Sequence, residues 1–203
     1  GNRGMEYSKF ALTHPDELNI VGVADPSELR RKLAAEKFNL EDQNCFGSAI
    51  ELAQHPKMAD AIINCTMDKD HVPTAIALMS VGYDMLLEKP LATSENEMRE
   101  LLEICRKLKR KLMVCHVLRY TPFYQQIKDK LLKAEIGEIL NIQTNEHISY
   151  HHMAVSFVRG KWRSQSETGS SMLMAKCCHD LDLIMWMTQD ILFYRQQTVA
   201  MSS

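Results

Sequence analysis

The stretch ADAIINCTMDKDHVPTAIALMSVGYDMLLEKP, residues 59–90, decides the fold. Ala59 to Cys65, with Ala61, Ile62 and Ile63, is a compact apolar run of strand length. Residues 70–81 place Val72, Ala75, Ile76 and Met79 at helical spacing, and Gly82 follows as a helix-ending glycine. Tyr83 to Leu87 is again a short apolar run, closed by Glu88-Lys89-Pro90. Two strands buried on both faces and joined by a helix form a strand–helix–strand crossover, the unit of a parallel sheet.

The same alternation extends in both directions. Upstream, residues 5–13 read as a short helix and Leu18 to Asp25 as a strand ending in an acid. Glu28 to Phe38 and Ser48 to Gln54 read as helices, the second stopped by His55-Pro56. Downstream, Ser94 with Glu97 three residues on is a capping-box signature for a helix to about Arg110, and Leu112 to Val117 is a fourth strand. Strand and helix thus alternate four times, which predicts an open parallel sheet with helices on both faces.

The pattern changes near residue 118, so residues 1–117 and 118–203 are expected to form separate domains. Pro122 to Glu135 predicts one more helix. Leu140 to Tyr150 alternates, with Leu140, Ile142, Thr144, Ile148 and Tyr150 opposite Asn141, Gln143, Asn145, His147 and Ser149. That period predicts a long half-buried strand in a sheet covered on one side. Residues 159–171 read as a loop, Ser171 to Met187 as a helix, and Thr198 to Ser203 as the beginning of another strand.

Composition narrows the partners. The 203 residues carry 24 Lys and Arg against 26 Asp and Glu, a formal net charge of −2, which offers no electrostatic footprint for nucleic acid. No apolar run approaches the ~18 residues of a membrane span. No basic start followed by an apolar stretch resembles a signal peptide, so the six cysteines (Cys45, Cys65, Cys105, Cys115, Cys177 and Cys178) are expected to be reduced thiols in a cytoplasmic protein.

Several residues carry chemistry. Gly1-Asn2-Arg3-Gly4 has the glycine spacing of the second half of a dinucleotide fingerprint, in which backbone approaches a pyrophosphate at a helix N-terminus. Alone it also reads as an ordinary turn. Asp25, 21 residues after Gly4 and at a strand end, stands where an acid accepts hydrogen bonds from a ribose. Together they favour NAD, with Arg30 and Arg31 leaving room for the extra phosphate of NADP. Lys89 follows a parallel strand, at the edge where open sheets bind ligands; a surface ion pair beside a turn proline is the plain alternative.

In Cys177-Cys178-His179-Asp180-Leu181-Asp182, His179 and Asp182 share a helix face. Asp182 is then placed to hold the imidazole, which would trade a proton near neutral pH. A core histidine beside buried thiols is the plain reading. Adjacent helical residues diverge, so no metal site is expected there. Nor is one expected at Glu146-His147 and His151-His152, where Glu146 falls on the apolar strand face as a candidate substrate contact.

With these residues assembled, the chain resembles the glucose–fructose oxidoreductase, inositol dehydrogenase and rhizopine-catabolism family, Gfo/Idh/MocA, over nearly its whole length. Gly1 to Gly4 looks like the end of the family's nucleotide loop. Cys65-Thr66-Met67-Asp68 with His71 resembles the loop under the cofactor, although Pro-Asn is commoner at Met67-Asp68. Glu88-Lys89-Pro90 is the most diagnostic tripeptide, Trp162-Arg163 looks like the pair reaching over the cofactor, and His179 to Asp182 matches the helix of the catalytic histidine.

The resemblance implies a Rossmann-type domain followed by an α+β domain with a large, mostly antiparallel sheet, both incomplete here. The strand carrying the first glycine would lie upstream of residue 1, and these residues alone are expected not to fold stably. The implied activity is NAD(P)-dependent hydride transfer with a secondary alcohol of a sugar, polyol or related compound. Lys89, His179 and Lys176 are the implied catalytic residues. The cofactor contacts would be Gly1, Asn2, Arg3, Gly4, Asp25, Thr66, Asp68, His71, Glu88, Lys89, Trp162 and Arg163, and the substrate contacts Lys89, Glu146, Lys176, His179 and Asp182.

One departure stands out: many relatives carry Asp four residues before the histidine, where this chain has Ala175, followed by Lys176. Two rival activities belong to the same family. One is a glycosidase using bound NAD for transient oxidation and elimination. The other is a sugar-linked regulator that binds the dinucleotide without turnover, against which Lys89 and His179 weigh. Association of copies through the second-domain sheet is also implied.

Overall fold

The computed structural model describes residues 1–188. The expected strand at Thr198 to Ser203 lies outside the described residues. Helices α1 (Asn2–Ser8) and α2 (Phe10–Thr13) lead to strand β1 (Val23–Ala24), helix α3 (Glu28–Phe38), strand β2 (Cys45–Phe46) and helix α4 (Ala49–Leu52). Strand β3 (Ala61–Asn64), helix α5 (His71–Val81), strand β4 (Asp84–Leu87), helix α6 (Glu95–Leu108) and strand β5 (Leu112–Val114) follow. The remaining helices are α7 (Pro122–Leu132), α8 (Tyr150–His152), α9 (Gln165–Thr168) and α10 (Met172–Thr188).

All strand pairs among the described residues are parallel. β4 lies between β3 and β5, with Ile63 opposite Leu86 and Leu86 opposite Met113. β1 pairs with β2, Val23 opposite Cys45. The four-strand expectation therefore needs two corrections among the described residues. The strands fall into a two-stranded and a three-stranded sheet, and β2 is a strand that its two ladder residues made too short to recognise from periodicity. The run from Leu18 to Asp25 shrinks to Val23–Ala24, because only those residues have a hydrogen-bonded neighbour in β2.

The core sits between the sheet of β3, β4 and β5 and helices α5 and α6. Val72, Ala75, Leu78 and Met79 of α5 pack with Met85 and Leu87 of β4 and Leu101 of α6. Tyr83 is fully buried, and its hydroxyl accepts a hydrogen bond from the Met58 amide (3.0 Å), so its polar end is satisfied. The expected punctuation is present. Gly82 takes φ +108° after α5, a conformation that favours glycine. Ser94 accepts from the Glu97 amide at 3.3 Å. The Glu97 carboxylate returns to the amide and hydroxyl of Thr93 and not to Ser94.

Beyond residue 118 the sequence is less faithful to structure. α7 begins with Pro122 at its first position, as its fixed φ permits. Residues 139–149 form neither helix nor strand, and Leu140 is 94% exposed. The long alternating strand is corrected: a strand needs a neighbour for its amides and carbonyls, and no described residue pairs with this segment. No antiparallel sheet is formed among the described residues. A π-helical turn at Met153–Val158 follows α8, and the polar segment after it contains a 3₁₀ turn at Lys161–Arg163 and the single turn of α9. All six cysteines are free thiols.

Leu87 sits fully buried at the end of the central strand. Leu87→Ala removes most of its side chain from a packed environment, and should lower the unfolding free energy of the full-length protein by about 2–5 kcal/mol in urea titration. A loss below about 1 kcal/mol would contradict this placement of the core.

Candidate active site

The carboxyl ends of the parallel strands bring the motifs together. Asp25 follows β1 and is only 7% exposed. The Ser27 amide donates to its Oδ1 (2.9 Å), and Oδ2 faces the terminal ammonium at Gly1. Arg31 Nη1 donates to the Asp25 carbonyl (2.7 Å), while Arg30 Nη1 stands 3.9 Å from Oδ2. Asn2, Arg3 and Gly4 form the first turn of α1 and not a separate turn. Gly4 faces Cys65 at the end of β3, where a Cβ would make an ordinary 3.8 Å contact, so space alone does not require glycine there.

Asn64, the last residue of β3, organises the loop after it. Its Nδ2 donates to Thr74 Oγ1 (2.9 Å), and its Oδ1 accepts from the Thr66 hydroxyl (2.9 Å) and amide (3.2 Å). The buried His71 ring lies between two carbonyls, Pro90 O at 2.8 Å from Nδ1 and Thr66 O at 3.2 Å from Nε2. It thereby joins this loop to the turn after β4.

Glu88 is also buried. Tyr7 of α1 donates to its Oε1 (2.6 Å), and the Lys89 amide donates to its Oε2 (2.8 Å). Burial first, then the hydrogen bond to Glu88 and its charge, pushes the Tyr7 hydroxyl well above the ordinary tyrosine pKa. Burial likewise raises the neighbouring thiols of Cys65 and Cys115, to about 12 and about 11. Those thiols are therefore inert packing groups at neutral pH.

The Lys89 side chain crosses to the second half of the chain. Its Nζ donates to the Ala175 carbonyl of α10 (2.8 Å), one helical turn before His179. Lys89 thus meets the helix that carries His179 and Lys176. Burial first, then the positive charge of Lys89, lowers the His179 pKa to about 4. This environment favours the neutral imidazole. The Lys176 pKa is also lowered, by burial first and then by Lys89.

Asp182 does not hold His179. It receives Arg119 Nε at 2.7 Å and a second bond from Arg119 Nη2, a bidentate pair, and His116 Nε2 stands 3.8 Å away. Sequence spacing put Asp182 on the correct helix face, but it could not show the competing guanidinium on the 3₁₀ turn Val117–Tyr120. His116, at the end of the fourth predicted strand, is the residue that sequence reading missed. Its ring packs edge-on to His179 with centroids 5.9 Å apart. Neither His116 Nδ1 nor His179 Nδ1, both buried, has a hydrogen-bond partner among the described residues.

Asp68 makes the second junction. Its Oδ2 accepts from Trp162 Nε1 (3.1 Å) and from the buried Ser170 hydroxyl. Gly169, at φ +85°, permits this approach, since a Cβ there would lie 2.9 Å from both Lys69 and Thr93 side chains. Thus the carboxylate of Asp68 and the indole N–H of Trp162 are engaged with each other. Arg163 stands 4.0 Å from Glu167. Glu146 is exposed, and its charge opposes the depression of the Lys176 pKa. Among the described residues no three His, Cys, Asp or Glu side chains converge on a metal-sized site, and no helix is long and apolar enough to cross a membrane.

Two family models match this chain. Residues 1–116 match the oxidoreductase family with an NAD-binding Rossmann fold, GFO/IDH/MocA, and residues 124–199 match the C-terminal domain of the same family. The chain belongs to the GFO/IDH/MocA oxidoreductase family.

Among curated relatives, the Bacillus subtilis protein YteT, named as an oxidoreductase, is 28% identical over 169 residues, covering 82% of this chain and 39% of its own length. The trans-1,2-dihydrobenzene-1,2-diol dehydrogenase of Mus musculus is 29% identical over 123 residues, covering 61% of this chain and 36% of its own. The WlbA dehydrogenase of Chromobacterium violaceum, solved with NADH and UDP-GlcNAcA, superposes with a TM-score of 0.77 at 21% identity, covering 92% of this chain and 52% of that one. The scyllo-inositol dehydrogenase of Lactobacillus casei, solved with NAD(H) and scyllo-inositol, gives 0.74 at 19% identity, covering 84% and 48%. These superpositions show the shared fold. The chain spans roughly two fifths of the two curated relatives.

The depressed His179 pKa fixes a sign. Since the folded value, about 4, lies below the ordinary 6.5, the stability contributed by the neutral ring is complete above pH 6.5 and is lost as pH falls toward 4. In histidine NMR spectra of the full-length protein, His179 should stay neutral until about pH 4, and Lys89→Met should raise that midpoint. A midpoint near 6.5 in the wild type would contradict the described environment.

Proposed function

We propose that this chain is the cofactor-binding portion and part of the substrate site of an NAD(P)-dependent dehydrogenase acting on a secondary alcohol of a sugar, polyol or related compound. The single observation that carries the reading is the bond from Lys89 Nζ to Ala175 O. It assembles Lys89, His179 and Lys176 beside the carboxyl ends of the parallel strands, the edge of an open sheet where ligands bind.

The residues present fit a dinucleotide. The buried Asp25 carboxylate follows strand β1 and accepts from the Ser27 amide at 2.9 Å, and the glycine-containing start of α1 lies against Cys65 after β3, the pieces that a ribose acid and a pyrophosphate loop require. Gly1 to Gly4 and Asp25 would hold the adenosine and phosphate end, with Thr66, His71, Glu88 and Trp162 shaping the loops around the other end. When bound, the nicotinamide supplies the hydride acceptor or donor. A 2′-phosphate would fall against the Asp25 carboxylate, so NAD is favoured over NADP.

The protein then orients the alcohol and moves its proton. The Lys89 ammonium, anchored to Ala175 O by one of its three protons, keeps two for a substrate oxygen. Neutral His179 can accept a hydrogen bond from the hydroxyl. The buried Glu88, bonded to the Lys89 amide, fixes the backbone from which Lys89 projects.

Two substitutions test the reading in the full-length protein. Lys89→Met should lower turnover by about 10²–10⁴-fold while NAD binding is largely kept. Unchanged turnover would remove Lys89 from the chemistry. Asp25→Ala should weaken NAD binding by about 10–100-fold and narrow the gap between NAD and NADP, measured by calorimetry. An unaltered NAD affinity would remove Asp25 from the cofactor site.

A further inference from the structure

Lys176 stands out among the cations at the site. Its ammonium makes no hydrogen bond or ion pair among the described residues and lies over the face of Phe157, 5.8 Å from the ring centroid. It is partly buried, and the residue before it, Ala175, is buried and brings no acid. Lys89 is drawn to the same turn of α10 by its bond to Ala175 O.

Burial first, then the like charge of Lys89 and more weakly that of Arg3, depresses the Lys176 pKa, and the opposing acid is the exposed Glu146. Of the other cations packed against α10, Arg119 is paired bidentately with Asp182 and Lys128 donates to the Trp186 carbonyl. Two ammonium groups partly withdrawn from water at one turn of α10, neither of them hydrogen-bonded to a carboxylate among the described residues, are costly to hold together unless an anion joins them.

We propose that Lys176 binds a carboxylate carried by the substrate, so that the alcohol oxidised at this site belongs to a sugar acid or polyol acid and not to a neutral sugar. Lys176 lies three residues before His179 on α10 and shares its face, so a carboxylate held there sits beside the neutral imidazole and the Lys89 ammonium. Lysine suits this role as a compact charge with three donors, and a carboxylate as a compact acceptor. Glu146, at the edge, would repel a second acidic group, which favours a singly charged substrate.

The inference rests on the dehydrogenase reading, and the test separates the two. Full-length protein is assayed for NAD(P)H formation with three matched pairs: D-glucuronate and D-glucose, D-galacturonate and D-galactose, D-gluconate and D-sorbitol. The wild type should prefer the acid in at least one pair, and Lys176→Met should cut that preference in kcat/KM by about 10–100-fold, mainly through KM. Lys176→Arg should recover part of it.

Raising the ionic strength should also erode the preference in the wild type, a readout that needs no variant. Neutral members turning over at least as well as the acids in every pair, or an acid preference that survives in Lys176→Met, would overturn the proposal. If no compound in the panel yields NAD(P)H, the dehydrogenase reading itself loses its support, and calorimetry with the three acids then decides the Lys176 site alone. Acid binding abolished in Lys176→Met would uphold it, and equal or absent binding in both proteins would end it.

Discussion

The bond between Lys89 Nζ and the Ala175 carbonyl governs the arrangement of the site. A carbonyl inside a helix already accepts one backbone hydrogen bond and has a second lone pair to offer. By using it, Lys89 fixes helix α10 against the end of the central strand β4 without breaking the helix. Every residue proposed to touch substrate then takes its place from that contact. His179 lies one turn further along α10, and Lys176 is the next residue in the chain. Burial first, and then the lysine's positive charge, holds the His179 pKa down.

Two further contacts hold the junction from its sides. On one side, Asp68 binds Trp162 and Ser170, and Gly169 provides the close approach that any side chain would block. On the other, Arg119 and Asp182 form a bidentate pair, and the buried Lys128 donates to the Trp186 carbonyl near the end of α10. Beneath them, Tyr7 and Glu88 connect helix α1 to the turn bearing Lys89. A partly buried contact of this kind stabilises little by itself, but removing one partner leaves the other without its hydrogen bond. The network therefore acts as a positioning frame, with each member retained by the cost of losing its neighbour.

The first half of the fold was legible because its signals are local. The α5 stripe, the Gly82 stop and the Ser94 cap depend on neighbours within a turn, and each is present. Leu140 to Tyr150 shows the opposite case. Its alternation is a statement about a partner strand, and a period of two cannot form a sheet where no described residue pairs with it.

The site was legible to the same extent. Lys89 and His179 stood in recognisable motifs, but their meeting is a tertiary contact between residues 86 positions apart. The partner of Asp182 was misassigned because helix spacing favoured His179, while Arg119 lies 63 residues away. His116 carried one usable signal, its place at the end of a predicted strand.

The central claim is that the alcohol carbon gives its hydrogen directly to a nicotinamide at the junction of Lys89 and His179. The most direct measurement uses full-length protein, NAD⁺ and the best alcohol substrate deuterated at the carbon that is oxidised. The account predicts that the deuterium appears at C4 of the reduced nicotinamide, with one NADH formed per carbonyl product. Deuterium returned to the product sugar, with a glycosidic bond cleaved and no net NADH, would contradict it and favour transient oxidation within a glycosidase.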